Sequence, residues 1–78
     1  MSVFLFEQTE TNEHFAHRVK DSLLQHGYPQ LSQVSCEAND ETIVLRGELN
    51  SFYLAQIAQS IVRNVPGVRE VINKVKVK

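Results

Sequence analysis

The chain has no tryptophan, one cysteine, two prolines and three glycines among its 78 residues. A single cysteine excludes an intrachain disulfide and a thiolate metal cage. Cys36 has neither a base nor a cation beside it in sequence, so its expected role is that of a small core hydrophobe. Gly27, Gly47 and Gly67 are dispersed, which leaves no glycine-rich loop to cradle a phosphate. The serines lack a nucleophile-elbow context. No apolar run approaches the roughly 20 residues of a membrane-spanning helix. Val3-Phe4-Leu5-Phe6 lacks the basic lead and the length of a secretory signal. Together these lacks give the expectation of a non-enzymatic chain in the cytoplasm that needs no cofactor, with envelope association only through a partner.

Charge is scarce in total and uneven in distribution. The formal net charge is −1. Residues 1–41 hold seven acids and two bases, and residues 42–78 hold two acids and six bases. Such polarity orients a partner or an anionic surface. It lacks the basic balance and the arginine–aromatic clustering of nucleic-acid binders, so nucleic acid is not an expected partner.

What is present is periodicity. Residues 1–11 carry no clear pattern and are expected to form a flexible or weakly structured segment ahead of one domain, residues 12–78. Phe15, Val19 and Leu23 recur every fourth residue and predict a helix capped by Thr11 or Asn12. Gly27 and Pro29 end it. Leu31 to Ala38 alternates as a strand, Asn39-Asp40-Glu41 supplies a turn, and Thr42 to Leu49 forms the second arm of a hairpin. Ile43 and Leu45 point inward along that arm, and Val44 and Arg46 outward. Gly47 interrupts it, which marks a bulge or a close backbone approach.

Asn50-Ser51 caps a second helix over about residues 52–64, whose inner face carries Leu54, Ala58, Ile61, Val62 and Val65. Pro66-Gly67 stops it. Val71 to Val77 then reads as a third strand, with Val71, Val75 and Val77 inward and Lys74 and Lys76 outward. Asn73 falls on the apolar side, where it requires hydrogen-bonding partners.

The expected fold is α+β: an αββαβ two-layer sandwich, with two helices on one face of a three-stranded mixed sheet. A right-handed crossover through the second helix sets the third strand parallel to the second and makes the second strand central.

The run "TIVLRGELNS", then Ala58, then "VPGVREVINKVKV" resembles the BON domain (bacterial osmotic-stress and nodulation domain). The motif positions are Leu45, Gly47, Leu49, Ala58, Gly67, Val68, Val71, Asn73 and Val77. The resemblance covers about residues 12–77. It implies αββαβ topology, no catalysis, and a binding module for phospholipid surfaces or other envelope proteins. This chain differs from the common family pattern in being a single copy without an export signal. It also differs in placing Phe52 and Tyr53 at helix-start positions that are usually polar.

Two surfaces are candidates for contact with a protein partner, a second copy of the chain, or an anionic phospholipid surface. Phe52 and Tyr53 either wedge into a partner or headgroup layer, or fold over the sheet edge against Leu49. The open sheet face offers Val44 and Ile72 among Arg46, Lys74 and Lys76. Alternating lysines also guard an edge strand against aggregation. An alternative reading takes the spacing of Glu10, His14, His17 and Asp21 as a surface metal site built on His14 and His17. Against it stands a solvated helix face with nothing to enclose an ion. His26, near the helix end, is expected to serve as a cap.

Overall fold

The computed structural model describes residues 10–78. The expectations for Val3-Phe4-Leu5-Phe6 and for most of the 1–11 segment lie outside the described residues. The first helix, α1, spans Asn12–Leu24 and buries Phe15, Val19 and Leu23. Thr11 is its cap, accepting the His14 N–H at 3.1 Å. Asn12, the other candidate, instead accepts the Asp40 N–H at 2.9 Å. That contact ties the helix start to the hairpin turn, where Asp40 takes the left-handed conformation (φ 58°) that aspartate tolerates. At the other end of α1 the His26 Nδ1–H donates to the Ser22 carbonyl at 2.7 Å, which is the expected capping role.

The strand expected from Leu31 begins later. Pro29–Gln33 forms a 3₁₀ turn, and the first strand, β1, is Ser35–Asn39. Pro29 has no N–H to give a ladder. The segment closes on itself through Leu31 N–H to Tyr28 and Val34 N–H to Leu31, at 2.9 and 3.1 Å. Lys20 reaches across from α1 and donates to the Ser32 and Val34 carbonyls. Leu31 is nevertheless fully buried, so its apolar character was informative even though its backbone state was not.

The second strand, β2, covers Thr42–Leu49, the second helix, α2, covers Phe52–Arg63, and the last strand, β3, covers Glu70–Val77. The sheet order is β1-β2-β3. β2 is antiparallel to β1 from Asn39↔Thr42 to Ser35↔Arg46. It is parallel to β3 from Thr42↔Glu70 to Leu49↔Val77. The architecture is therefore the expected α+β order with β2 in the centre.

Gly47 stands where β2 crosses the 3₁₀ turn, and its role is the close approach. A Cβ there would lie 2.5 Å from the Gln33 carbonyl oxygen, and the backbone holds φ at +137°, a conformation open to glycine.

Both helices lie on one face of the sheet, α1 mainly against β1 and α2 mainly against β3. The buried core is wholly apolar. It joins Phe15, Val19 and Leu23 to Leu31, Val34, Ile43, Leu45 and Leu49, and to Leu54, Ala55, Ala58, Val62 and Val65 of the second helix and its exit. At roughly 1.5–3 kcal/mol for each large side chain taken out of water, this one layer of contacts supplies the main drive to fold.

Asn73 is the polar exception on the inner face, and its partners are now identified. Its Nδ2 donates to the Ala55 carbonyl at 3.3 Å and to Gln59 Oε1 at 3.2 Å. Its Oδ1 accepts the Val75 N–H at 3.0 Å.

Candidate binding surface

The helix-free face of the sheet is built by alternation. Ile43, Leu45 and Leu49 turn inward and are buried, which turns Val44, Arg46 and Glu48 outward. The strand registers then assemble rungs across the open face: Glu37, Val44 and Ile72, then Ser35, Arg46 and Lys74, then Glu48 and Lys76. Val44 is half-buried and Ile72 is exposed, so the apolar part of this face is a single rung. Arg46 Nε lies 3.5 Å from Glu37 Oε1, and Lys78 Nζ lies 3.4 Å from Glu48 Oε1. No carboxylate among the described residues forms an ion pair with Lys74 or Lys76.

Phe52 and Tyr53 open α2, positioned by Ser51, whose hydroxyl accepts the Leu54 N–H at 3.3 Å. They are 67% and 64% exposed, so they do not fold over the sheet edge. The parallel register places Leu49 beside Val77, and Lys78 N–H closes onto the Leu49 carbonyl at 2.9 Å. Only Asn50 and Ser51 lie between Leu49 and Phe52, a span of at most about 11 Å.

Phe52 shares a helix stripe with Gln59, which touches Asn73. The seven residues back from Gln59 to Phe52 cover about 10 Å of helix axis, equal to about three residues of strand. Phe52 thus stands level with the end of β3. The two candidate surfaces, read separately from sequence, therefore reach the same end of the molecule from opposite sides of the sheet, Phe52 and Tyr53 on the helix side and Lys76 on the helix-free side. Val77 and Lys78 also belong to that end. Val77 was expected to point into the core and is 43% exposed, as the last residue of an edge strand. The parallel register was the signal that would have added both residues.

The opposite end, at the hairpin turn, has different chemistry. Glu10 lies between Arg18 and His14. The Arg18 guanidinium, 2.8 and 2.9 Å from its two oxygens, holds the Glu10 carboxyl down at about 2; partial burial works against this and His14 adds to it. Arg18 also donates to the Pro66 carbonyl at 3.0 Å and stacks on Phe15 at 5.1 Å. A Cβ on Gly67 would crowd the Arg18 guanidinium at 3.3 Å and touch the Phe15 ring at an ordinary 3.5 Å, and its φ is +98°. Across the turn Arg69 pairs with Glu41 at 3.4 Å. An open hollow of about 850 Å³, lined by residues including Asp40, Thr42, Val44, Arg69, Glu70 and Ile72, lies over this end of the sheet.

The histidines of α1 are not brought together on an ion. His14 is bound to Glu10 and His17 lies 3.5 Å from Asp21, each pair one helical turn apart. Among the described residues no group of three or more histidine, cysteine, aspartate or glutamate side chains is placed to hold a metal. Cys36 is half-buried against the core, and burial pushes its thiol up to about 11 against the opposing charge of Lys20. It therefore stays protonated and unreactive near neutrality.

No curated protein matches this chain. A family model, the BON domain, matches residues 11–78. Domains of this family are generally non-catalytic binding modules for proteins or lipids. With that match over nearly the whole of its length, the chain belongs to the BON domain family.

Proposed function

We propose that this domain is a peripheral binding module for anionic phospholipid surfaces, and that its contact is the end of the molecule where α2 begins and β3 finishes. The observation that supports this reading is the exposure of Phe52 and Tyr53 at the level where β3 ends, with Lys74 and Lys76 on the helix-free face of that strand as two cations without a carboxylate partner among the described residues. Aromatic side chains at an exposed helix start enter the headgroup layer while keeping their polar neighbours wet. Each lysine near an anionic leaflet contributes about 1 kcal/mol, so the two together give attachment that is weak and reversible. No helix among the described residues is long and apolar enough to cross a membrane; the attachment is to the surface.

Flotation with anionic and neutral vesicles at low and high salt tests this. Anionic vesicles should carry the protein at low salt. Lys74→Glu with Lys76→Glu should remove the salt-sensitive part, since exposed charges are screened over about 8 Å at physiological ionic strength. Phe52→Ala with Tyr53→Ala should weaken binding at every salt concentration. Absence of flotation under all conditions would sink the lipid reading and leave a protein partner in its place. The rung of Val44 and Ile72, flanked by Glu37 and Arg46, is the feature that favours that second reading.

A further inference from the structure

β1 and β3 are both edge strands, and β3, with eight residues against five, has the longer outer edge, which no element among the described residues covers, since the sheet stops there and α1 and α2 lie on its face. The even-numbered residues of β3 direct their backbone groups to β2. Glu70 N–H reaches the Glu41 carbonyl at 3.3 Å and Lys78 N–H reaches the Leu49 carbonyl at 2.9 Å. Backbone groups of successive strand residues point to opposite sides. Val71, Asn73, Val75 and Val77 therefore turn their N–H and C=O groups outward. Val75 shows this directly, because its N–H is taken by the Asn73 side chain and not by a strand.

We propose that this edge is a self-association site, on which β3 of a second copy pairs antiparallel about Asn73, and that the Asn73 carboxamide is the latch that keeps the pairing weak. The choice of partner rests on charge complementarity. Antiparallel pairing centred on Asn73 sets Glu70 opposite Lys76 of the second copy, twice by symmetry, with Ile72 beside the Lys74 stem and Val71 opposite Val75. Centring on Lys74 would set that lysine against itself, and like charges directly opposed destabilise a pair. Centring on Ile72 shortens the paired stretch.

In the Asn73 register the Val75 N–H must reach the Val71 carbonyl of the other copy. That N–H is already engaged by Asn73 Oδ1, and Asn73 is itself held by Ala55 and Gln59. The latch must yield before the sheet extends from three strands to six. This inference does not depend on the lipid reading, and its test contains no lipid.

Sedimentation equilibrium should show the wild-type chain associating weakly, with a Kd of about 1 mM. Asn73→Ala, which removes the latch, should tighten association at least tenfold. Glu70→Lys and Lys76→Glu should each weaken it, and the two substitutions combined should restore it. Amide exchange at Val71 should slow as protein concentration rises. The proposal is overturned by a wild-type chain that stays monomeric at that concentration, by a folded Asn73→Ala no tighter than wild type, or by a charge swap that fails to restore. Protection of the Val71 amide that is the same at every concentration would also overturn it, since another element would then cover the edge. Should Asn73→Ala not fold, the charge swap and the exchange measurement decide in the wild-type background.

Discussion

The two ends of the sheet are built from the same strands and held by different means. At the hairpin end Asn12 ties α1 to the turn, Arg18 joins Glu10 to the Pro66 carbonyl, and Arg69 meets Glu41. Each of these contacts links segments distant in sequence through polar groups at the surface. At the other end Phe52, Tyr53 and Val77 remain exposed, and what fixes the backbone is the close contact between Gly47 and the 3₁₀ turn and the Lys78 N–H to Leu49 carbonyl bond. A surface tied by side chains has few left over to offer a partner. A surface fixed from behind by backbone keeps its side chains free.

The largest effect should come from breaking the backbone support. Gly47→Ala puts a methyl group on the Gln33 carbonyl oxygen and imposes a left-handed-side φ on alanine, at a cost of about 3 kcal/mol. Urea denaturation should register that loss. Amide exchange should quicken first at Leu31 and Val34, while the Asn12 contact to the hairpin turn persists.

A smaller effect is expected at the tied end. Arg18→Ala removes the Glu10 clasp and the Pro66 contact, but these groups lie at the surface, where solvent screens the pair. The melting midpoint at neutral pH should fall by no more than about 4 °C. The pH dependence is more diagnostic. The Glu10 carboxyl is depressed from 4.5 to about 2 in the folded chain. Its contribution is therefore complete above about 4.5, the unfolded value, and is lost as pH falls from there towards 2. Thermal melts across that window should decline less steeply for Arg18→Ala than for the wild type. Identical slopes would show that the clasp does not hold in solution.

The smallest effect on stability should accompany the residues proposed for contact. Phe52→Ala with Tyr53→Ala should change unfolding free energy by no more than about 0.5 kcal/mol, as exposed positions do. A loss well beyond that in chemical denaturation would mean the rings support the fold, and the contrast between a tied and a free end would fail.

How much of this was legible in the sequence follows from how far apart the interacting residues lie. The stripes of Phe15, Val19 and Leu23 and of Leu54, Ala58 and Val62 are local patterns, and they fixed the helices and their inner faces. Alternation in β2 and β3 fixed which side chains face out. Crossover handedness then set the strand order. Leu31 was misread because the alternation of Val34, Cys36 and Ala38 was extended back over a residue three positions from Val34, a spacing that belongs to a 3₁₀ turn, and the contacts that hold the turn include Lys20 on another element.

Asn73 could be flagged as needing partners, but Ala55 and Gln59 lie on a helix packed over it. Glu10 and His14 have metal-ligand spacing in sequence. What redirects them is Arg18, two turns further on. The family resemblance reached the same fold by a separate route, and it did not select a contact surface. Phe52 and Tyr53 were candidates from sequence, but their proximity to the end of β3 required the parallel register.

The one-sided placement of the helices has a consequence for how this domain can change. Every buried side chain of β2 points to the same side, so Ser35, Glu37, Val44, Arg46, Ile72 and Lys74 can be rewritten without touching a core contact. Selection, or a designer's library, can thus explore new recognition chemistries on the open face while the folding information on the other side is copied unchanged.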